Sequence, residues 1–86
     1  AIGINGLLVY PNPTNGILNI EFSTDSNIDF EMNIVDVIGQ YIGLDSQKLF
    51  SGDYKKSIDL SSYAKGVYFI NIKLNDKNIN KKIIIR

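Results

Sequence analysis

Residues 58–86 decide the fold: Ile58-Asp59-Leu60-Ser61-Ser62-Tyr63-Ala64-Lys65-Gly66-Val67-Tyr68-Phe69-Ile70-Asn71-Ile72-Lys73-Leu74, then Asn75-Asp76-Lys77-Asn78, then Ile79-Asn80-Lys81-Lys82-Ile83-Ile84-Ile85-Arg86. Tyr68, Ile70, Ile72 and Leu74 alternate with Phe69, Asn71 and Lys73, the period-two pattern of a half-buried strand. The polar stretch 75–78 reads as a turn, and the aliphatic run after it as a returning strand that reaches the last residue. Chain ends fray unless an element ties them down. A strand that runs to Arg86 therefore implies that the fold's own core, or a partner that reads this end, selects for order there. With residues 75–78 as the loop, Leu74 faces Ile79, Ile70 faces Ile83 and Tyr68 faces Ile85, while Phe69 meets Ile84 on the other face. The first face is apolar except for Lys81, which either snorkels at an edge or sits at a bulge. A slip of one residue would expose the isoleucines, so the register should be firm.

The same alternation runs outward toward the start of the chain. Leu18, Ile20 and Phe22 alternate with Asn19, Glu21 and Ser23, and Ile28, Phe30, Met32 and Ile34 with Asp29, Glu31 and Asn33. Isoleucine is the commonest residue, and its branching at Cβ favours strands. Turn signals fall at residues 11–16, 25–27, 39, 51–53, 61–66 and 75–78. They divide the chain into expected strands at 7–10, 17–23, 28–37, 41–49, 55–60, 67–74 and 79–86, with no helix. The expected fold is all-β: a seven-stranded antiparallel Greek-key β-sandwich, immunoglobulin-like, with a small closed barrel as the alternative. Residues 1–6, small and containing Gly and Asn, read as a linker to upstream cargo, and residues 7–86 as one domain.

Composition narrows the chemistry. A chain of 86 residues is one small domain, burying about 60–65% of its unfolded surface. It contains no cysteine and no histidine, which removes disulfides, thiolate chemistry and the commonest metal ligand. Asp25, Asp29 and Asp36 lack the dense spacing of a calcium loop. Serine and threonine have no histidine base, and no glycine-rich phosphate loop precedes a helix. No catalytic residue, metal or cofactor is expected. No apolar run approaches the roughly 18 residues of a membrane span, so an integral membrane protein is not expected either. The absence of a signal peptide fits a piece from the end of a longer protein.

The net charge of zero argues against nucleic-acid binding, but it hides an asymmetry. Residues 1–47 carry six acids and no base, whereas residues 48–86 carry nine bases and three acids. The acidic half either pairs with the basic half across strands, which is the simpler reading, or leaves a basic patch for an acidic partner. Tyr10, Tyr41, Tyr54 and Tyr63 could line a sugar-binding surface, although scattered tyrosines in a sandwich are more often core margins.

Four motifs recur in order. Val9-Tyr10-Pro11-Asn12-Pro13 precedes Thr14-Asn15-Gly16 and a strand. Asp36-Val37-Ile38-Gly39-Gln40 forms an Asp-x-x-Gly-polar turn. Leu60-Ser61-Ser62-Tyr63-Ala64-Lys65-Gly66-Val67-Tyr68 leads into a strand, and Lys82-Ile83-Ile84-Ile85-Arg86 is a basic-aliphatic finish. Together, over residues 7–86, they resemble the type A C-terminal sorting domain of the type IX secretion system. Tyr63 stands where an aliphatic residue is commoner in that family. The resemblance implies a non-catalytic address tag, expected as a monomer. The tag takes covalently attached N-terminal cargo from the periplasm through an outer-membrane translocon to the cell surface or medium. Its partners would be components of the translocon and a surface sortase that removes the tag. Gly66, Tyr68, Lys82, Ile83, Ile84, Ile85 and Arg86 would carry the signal, and Pro11, Asn12, Pro13, Gly16, Asp36 and Gly39 would be structural.

The residues also admit plain structural readings. Pro11 and Pro13 rigidify an entry turn, and Asn15-Gly16 suits positive φ. Gly66 allows a tight turn, after which Tyr68 acts as a tyrosine corner with its hydroxyl on upstream backbone. Ile83 and Ile85 face the core, each contributing about 1.5–3 kcal/mol, while Lys82, Ile84 and Arg86 point outward. The open edge of this last strand could also pair with a receptor by strand addition. The rival reading is a carbohydrate- or protein-binding sandwich module of a secreted enzyme. Catalysis by the domain itself is a third, poorly supported class.

Overall fold

The structure, a computed structural model, describes residues 4–74 and 77–86. The expected linker and the expected turn at 75–78 therefore lie partly outside the described residues. The described elements are all strands: β1 (Asn5–Tyr10), β2 (Ile17–Asp36), β3 (Tyr41–Asp59), β4 (Gly66–Leu74) and β5 (Lys77–Ile85). Every ladder between them is antiparallel. The order is β1-β2-β4-β5, with β3 also paired to β2.

Five strands replace the seven expected. Segments 17–23 and 28–37 fall within β2 as far as Asp36, and segments 41–49 and 55–60 within β3 as far as Asp59. The turn signals at 25–27 and 51–53 do not reverse the chain. They mark a bend that both strands of one long hairpin take together, with Thr24 opposite Gly52 on one side of it and Ile28 opposite Phe50 on the other. Register shifts between Thr24 and Ile28, and between Ile28 and Phe30, show bulges at the corner, and bulges sharpen twist and bending. The buried Thr24 hydroxyl shapes the turn by donating to the Ser26 carbonyl (2.9 Å) and accepting the Ser26 N–H (3.4 Å).

Length alone requires the bend. The 20 residues of β2 would span about 66 Å if straight, yet the molecule's longest dimension is 36 Å. Phe22 and Phe30 would stand about 26 Å apart on a straight strand, yet their ring centroids are 5.5 Å apart. Tyr54 stacks on Phe22 at 4.8 Å, and Phe50 meets Phe22, Phe30 and Tyr54 edge to face. Four rings thus fill the inside of the corner.

The two limbs of β2 then face one core. Leu18, Ile20 and Phe22 come from the first limb and Ile28, Phe30, Met32 and Ile34 from the second, joined by Tyr54, Leu60, Tyr68, Ile70, Ile72, Leu74, Ile83 and Ile85. On the edge away from β3, the first limb pairs with β1, and the second pairs with β4 from Phe30 opposite Leu74 to Asp36 opposite Tyr68. The bend forms the lower end of the molecule. The upper end gathers the start of β2, the β2–β3 turn, the start of β4 and the finish of β5. β1 begins two residues earlier than the expected strand, and Asn5 lies opposite Ser23, near the bend.

The β4–β5 register is displaced by two residues from the expected one. Leu74 pairs with Lys77, Ile72 with Ile79, Ile70 with Lys81, Phe69 with Lys82, Tyr68 with Ile83 and Val67 with Ile84. Asn78, expected in the turn, sits in β5 opposite Lys73. An even shift leaves every side chain on its own face, so Ile83 and Ile85 are still buried. For the same reason the apolar pattern could not choose between the two registers.

Beside the corner, the Tyr54 hydroxyl donates to Asp45 Oδ2 (2.5 Å). Burial, followed by this bond to a carboxylate, pushes the Tyr54 phenol well above its ordinary range. Burial also opposes ionisation of Asp45. Hydrogen bonds from Tyr54, Gln47 and the Ser46 N–H, together with the nearby Lys56 charge, outweigh it and hold the carboxyl below the usual value. A folded pKa below the unfolded value of about 3.9 contributes stability above that pH, and the contribution is lost as pH falls through the folded value. The urea midpoint should therefore drop between pH 5 and pH 2.5, and drop less in Asp45→Asn. Phe30→Ala should cost about 3–5 kcal/mol in the same urea titration at neutral pH.

Candidate recognition surface

The final strand is held on both edges. On one side β5 pairs with β4. In an antiparallel strand a residue's N–H and C=O share a side, so the backbone groups of Lys82, Ile84 and Arg86 point away from β4. Residues 12–14 meet them there. The Asn12 side chain donates Nδ2–H to the Lys82 carbonyl (2.9 Å) and accepts the Ile84 N–H at Oδ1 (3.0 Å). The Thr14 N–H then donates to the Ile84 carbonyl, and the Arg86 N–H to the Thr14 carbonyl, both at 2.9 Å. This short parallel bridge corrects the expected open edge: in the folded molecule the backbone of residues 82–86 is already taken.

The local sequence explains how. Pro11 and Pro13 have no N–H to offer, so the segment reaches β5 through the amide side chain between them, whose donor and acceptor match those of a peptide. Thr14 is buried, and its hydroxyl is satisfied twice, by donation to the Ile17 carbonyl (2.5 Å) and by the Gly16 N–H (3.1 Å). Gly16 adopts φ 156°, and a Cβ there would come within 3.2 Å of Ser61 Cβ. Its carbonyl accepts the Leu60 N–H at 2.7 Å, which ties the third motif to the first.

The other motif residues arrive at the same end. Gly66, with φ 148°, lies opposite Ile85. The Tyr68 ring is buried, and its hydroxyl donates to the Ala64 carbonyl at 2.5 Å, the expected tyrosine corner. Asp36, opposite Tyr68, closes the β2–β3 turn by accepting the N–H groups of Ile38 and Gln40 at Oδ1 (both 3.0 Å), while the Gly39 N–H reaches the Asp36 carbonyl (3.2 Å). All the candidate residues therefore converge on the upper end, but not all are readable from outside. Tyr68, Ile83 and Ile85 belong to the core, whereas Lys82, Ile84 and Arg86 are exposed.

The register adds Val35 and Val67 to residues already named from the sequence. One cross-strand row runs Tyr41, Val35, Phe69, Lys82 over four strands, and beside it Val67 lies opposite Ile84. Tyr41 is 70% exposed, and Phe69 and Ile84 are 36% exposed. The next row down carries Gly43, Asn33, Asn71 and Asn80, with Asn71 Nδ2–H bonded to Asn33 Oδ1 (3.2 Å). Below it Glu31 stands opposite Lys73. The outer face thus grades from apolar at the upper end, through amides, to charged. Period-two parity carried through the whole of β2 could have placed Val35 on this face. Thr14 gave no such signal, because its backbone partners, Ile84 and Arg86, lie at the far end of the chain.

The four tyrosines do not line one surface. Tyr54 is in the aromatic corner and Tyr10 bonds Glu21, whereas Tyr41 and Tyr63 share an open depression with Asp36, Gln40 and Ser62. Among the described residues no group of His, Cys, Asp or Glu is close enough to hold a metal ion, and no helix is long and apolar enough to cross a membrane.

Asn12→Ala should cost about 1 kcal/mol and speed exchange of the Ile84 amide about fivefold, as read by NMR hydrogen exchange. Thr14→Val should cost about 1–3 kcal/mol, since it strands the buried Gly16 N–H.

The family model described as secretion system C-terminal sorting domain matches residues 8–86. No curated protein matches the chain.

Proposed function

We propose how this domain is read, since the chain belongs to the secretion system C-terminal sorting domain family and so is a C-terminal sorting signal of type IX secretion. The signal is a folded surface at the upper end of the molecule and not a loose C-terminal peptide. One observation carries this reading: residues 82–86 are bonded on both sides, to β4 and to residues 12–14. Lys82, Ile84 and Arg86 present side chains, while Ile83, Ile85, Gly66 and Tyr68 hold the strand that presents them. Pro11, Asn12, Pro13, Gly16, Asp36 and Gly39 build the turns and the clasp around it.

The finer architecture follows the same lines. The bend at the aromatic corner supports a two-layer reading in which β1, the first limb of β2 and the second limb of β3 face the other limbs together with β4 and β5. Residues 12–14 cross from one layer to the other, as in an immunoglobulin-like sandwich. Cargo joins ahead of β1, at the lower end. The domain performs no chemistry itself. It acts on translocon components and is then removed by a surface sortase, leaving the cargo at the surface or in the medium. A second reading, a sugar-binding module, rests on Tyr41 and Tyr63 at one depression.

The test fuses residues 1–86 behind a signal peptide and a fluorescent reporter in a host with the type IX machinery. The wild-type tag should export the reporter, while Lys82→Ala/Arg86→Ala, shown by circular dichroism to be folded, should leave it in the periplasm. Retention of the wild-type fusion would overturn the sorting role. Equal export of both would move the signal away from the basic tail residues.

A further inference from the structure

Resting on that reading, we infer that the outer face built from Tyr41, Val35, Phe69, Val67 and Ile84, rimmed by Lys82 and Arg86, docks on a protein surface that is apolar at its centre and carries carboxylates at its edge. A partner meeting the folded tail cannot add a strand along residues 82–86, because Asn12 and Thr14 occupy that edge. What remains to be read is side chains, and the ladders fix which ones share the face. Phe69 sits between Val35 and Lys82, and Ile84 lies one step diagonally from it beside Val67. Side chains so placed on a sheet touch one another.

The apolar surface continues past the sheet. Val37 and Ile38, in the turn next to Tyr41, are 72% and 76% exposed. Contiguous exposed apolar surface on a small domain marks an interaction site. Asn5, at the start of β1, lies near the bend, at the opposite end of the molecule from this face.

Charge selects the occupant. The acidic half of the chain meets bases elsewhere, with Glu21 opposite Lys55 and Glu31 opposite Lys73. On the outer side of β5, Lys82 stands opposite Phe69, so no acid faces it across the ladder, whereas Lys77 and Lys81, opposite the buried Leu74 and Ile70, belong to the other face. Of the acids at this end, Asp36 spends its carboxylate on the N–H groups of its own turn, and Asp59, opposite Ile17, accepts the Ser61 N–H. An apolar centre with an uncompensated basic rim fits carboxylates around an apolar patch, which would steer encounter and fix orientation.

The experiment uses the same reporter fusion with Tyr41→Ser/Phe69→Ser, which leaves all of residues 82–86 unchanged. Leu49→Ser, at a residue 72% exposed near the bend, serves as the control. The face variant should lower export about tenfold or more while its melting curve stays cooperative, and the control should export like wild type. Lys82→Glu/Arg86→Glu should be worse than Lys82→Gln/Arg86→Gln, because only the first repels carboxylates. If Tyr41→Ser/Phe69→Ser fails to fold, Val37→Ser/Ile38→Ser in the exposed turn takes its place. Normal export of the folded face variant overturns the docking face and leaves the sorting role standing. Equal losses in face variant and control overturn it too, as does equal behaviour of the Glu and Gln pairs. Failure of the wild-type fusion to export overturns the sorting role itself.

Discussion

Phe22 and Phe30 belong to one strand, yet their rings meet edge to face, with Phe50 and Tyr54 from the partner strand closing the cluster. That contact exists only if the β2–β3 hairpin folds back through its middle. Ring pairs of this kind contribute about 0.5–1.5 kcal/mol each beyond the area they bury, and here they sit where the ladder is weakest, among bulges. Without the corner, the two limbs of β2 would present their apolar faces to water. With it, both limbs face one core, and β4 and β5 have somewhere to pack.

The bend also determines how the ends of the chain relate. It brings the start of β2 back to the level of its finish, so the residues just before β2 meet the finish of β5. The clasp by Asn12 and Thr14 depends on that closure. A small domain with no disulfide gains order at its last residues from these bonds, together with burial of Ile83 and Ile85. Order in the tail and exposure of Lys82, Ile84 and Arg86 are two results of one arrangement. Alternate side chains anchor the strand while the others are displayed, and the backbone between them is bonded to residues 12–14 on one side and to β4 on the other. A binding partner therefore meets a fixed pattern of side chains at no cost in ordering the tail.

Much of this is legible in the order of the amino acids. The alternation in Leu18–Phe22, Ile28–Ile34 and Tyr68–Leu74 names the buried faces, and the four motifs in order name the family. Two features mislead. Asp25-Ser26-Asn27 and Ser51-Gly52-Asp53 carry the composition of chain-reversing turns, and local composition does not distinguish a reversal from a bend shared by two paired strands. In the last hairpin, registers that differ by two residues bury the same isoleucines, so the apolar pattern cannot separate Ile84 opposite Phe69 from Ile84 opposite Val67.

What the sequence determined by itself is what depends on near neighbours along the chain: strand periodicity, which side chains face inward, the Asp36 turn, and the tyrosine corner four residues back from Tyr68. What only the tertiary structure decided depends on pairs far apart in sequence. These are the corner of four rings, the clasp from Asn12 and Thr14 onto residues 82–86, and the row of Tyr41, Val35, Phe69 and Lys82 drawn from four strands. Each requires a ladder to choose its partner and register. That choice is made by closing one core around all five strands at once, and no local pattern encodes it.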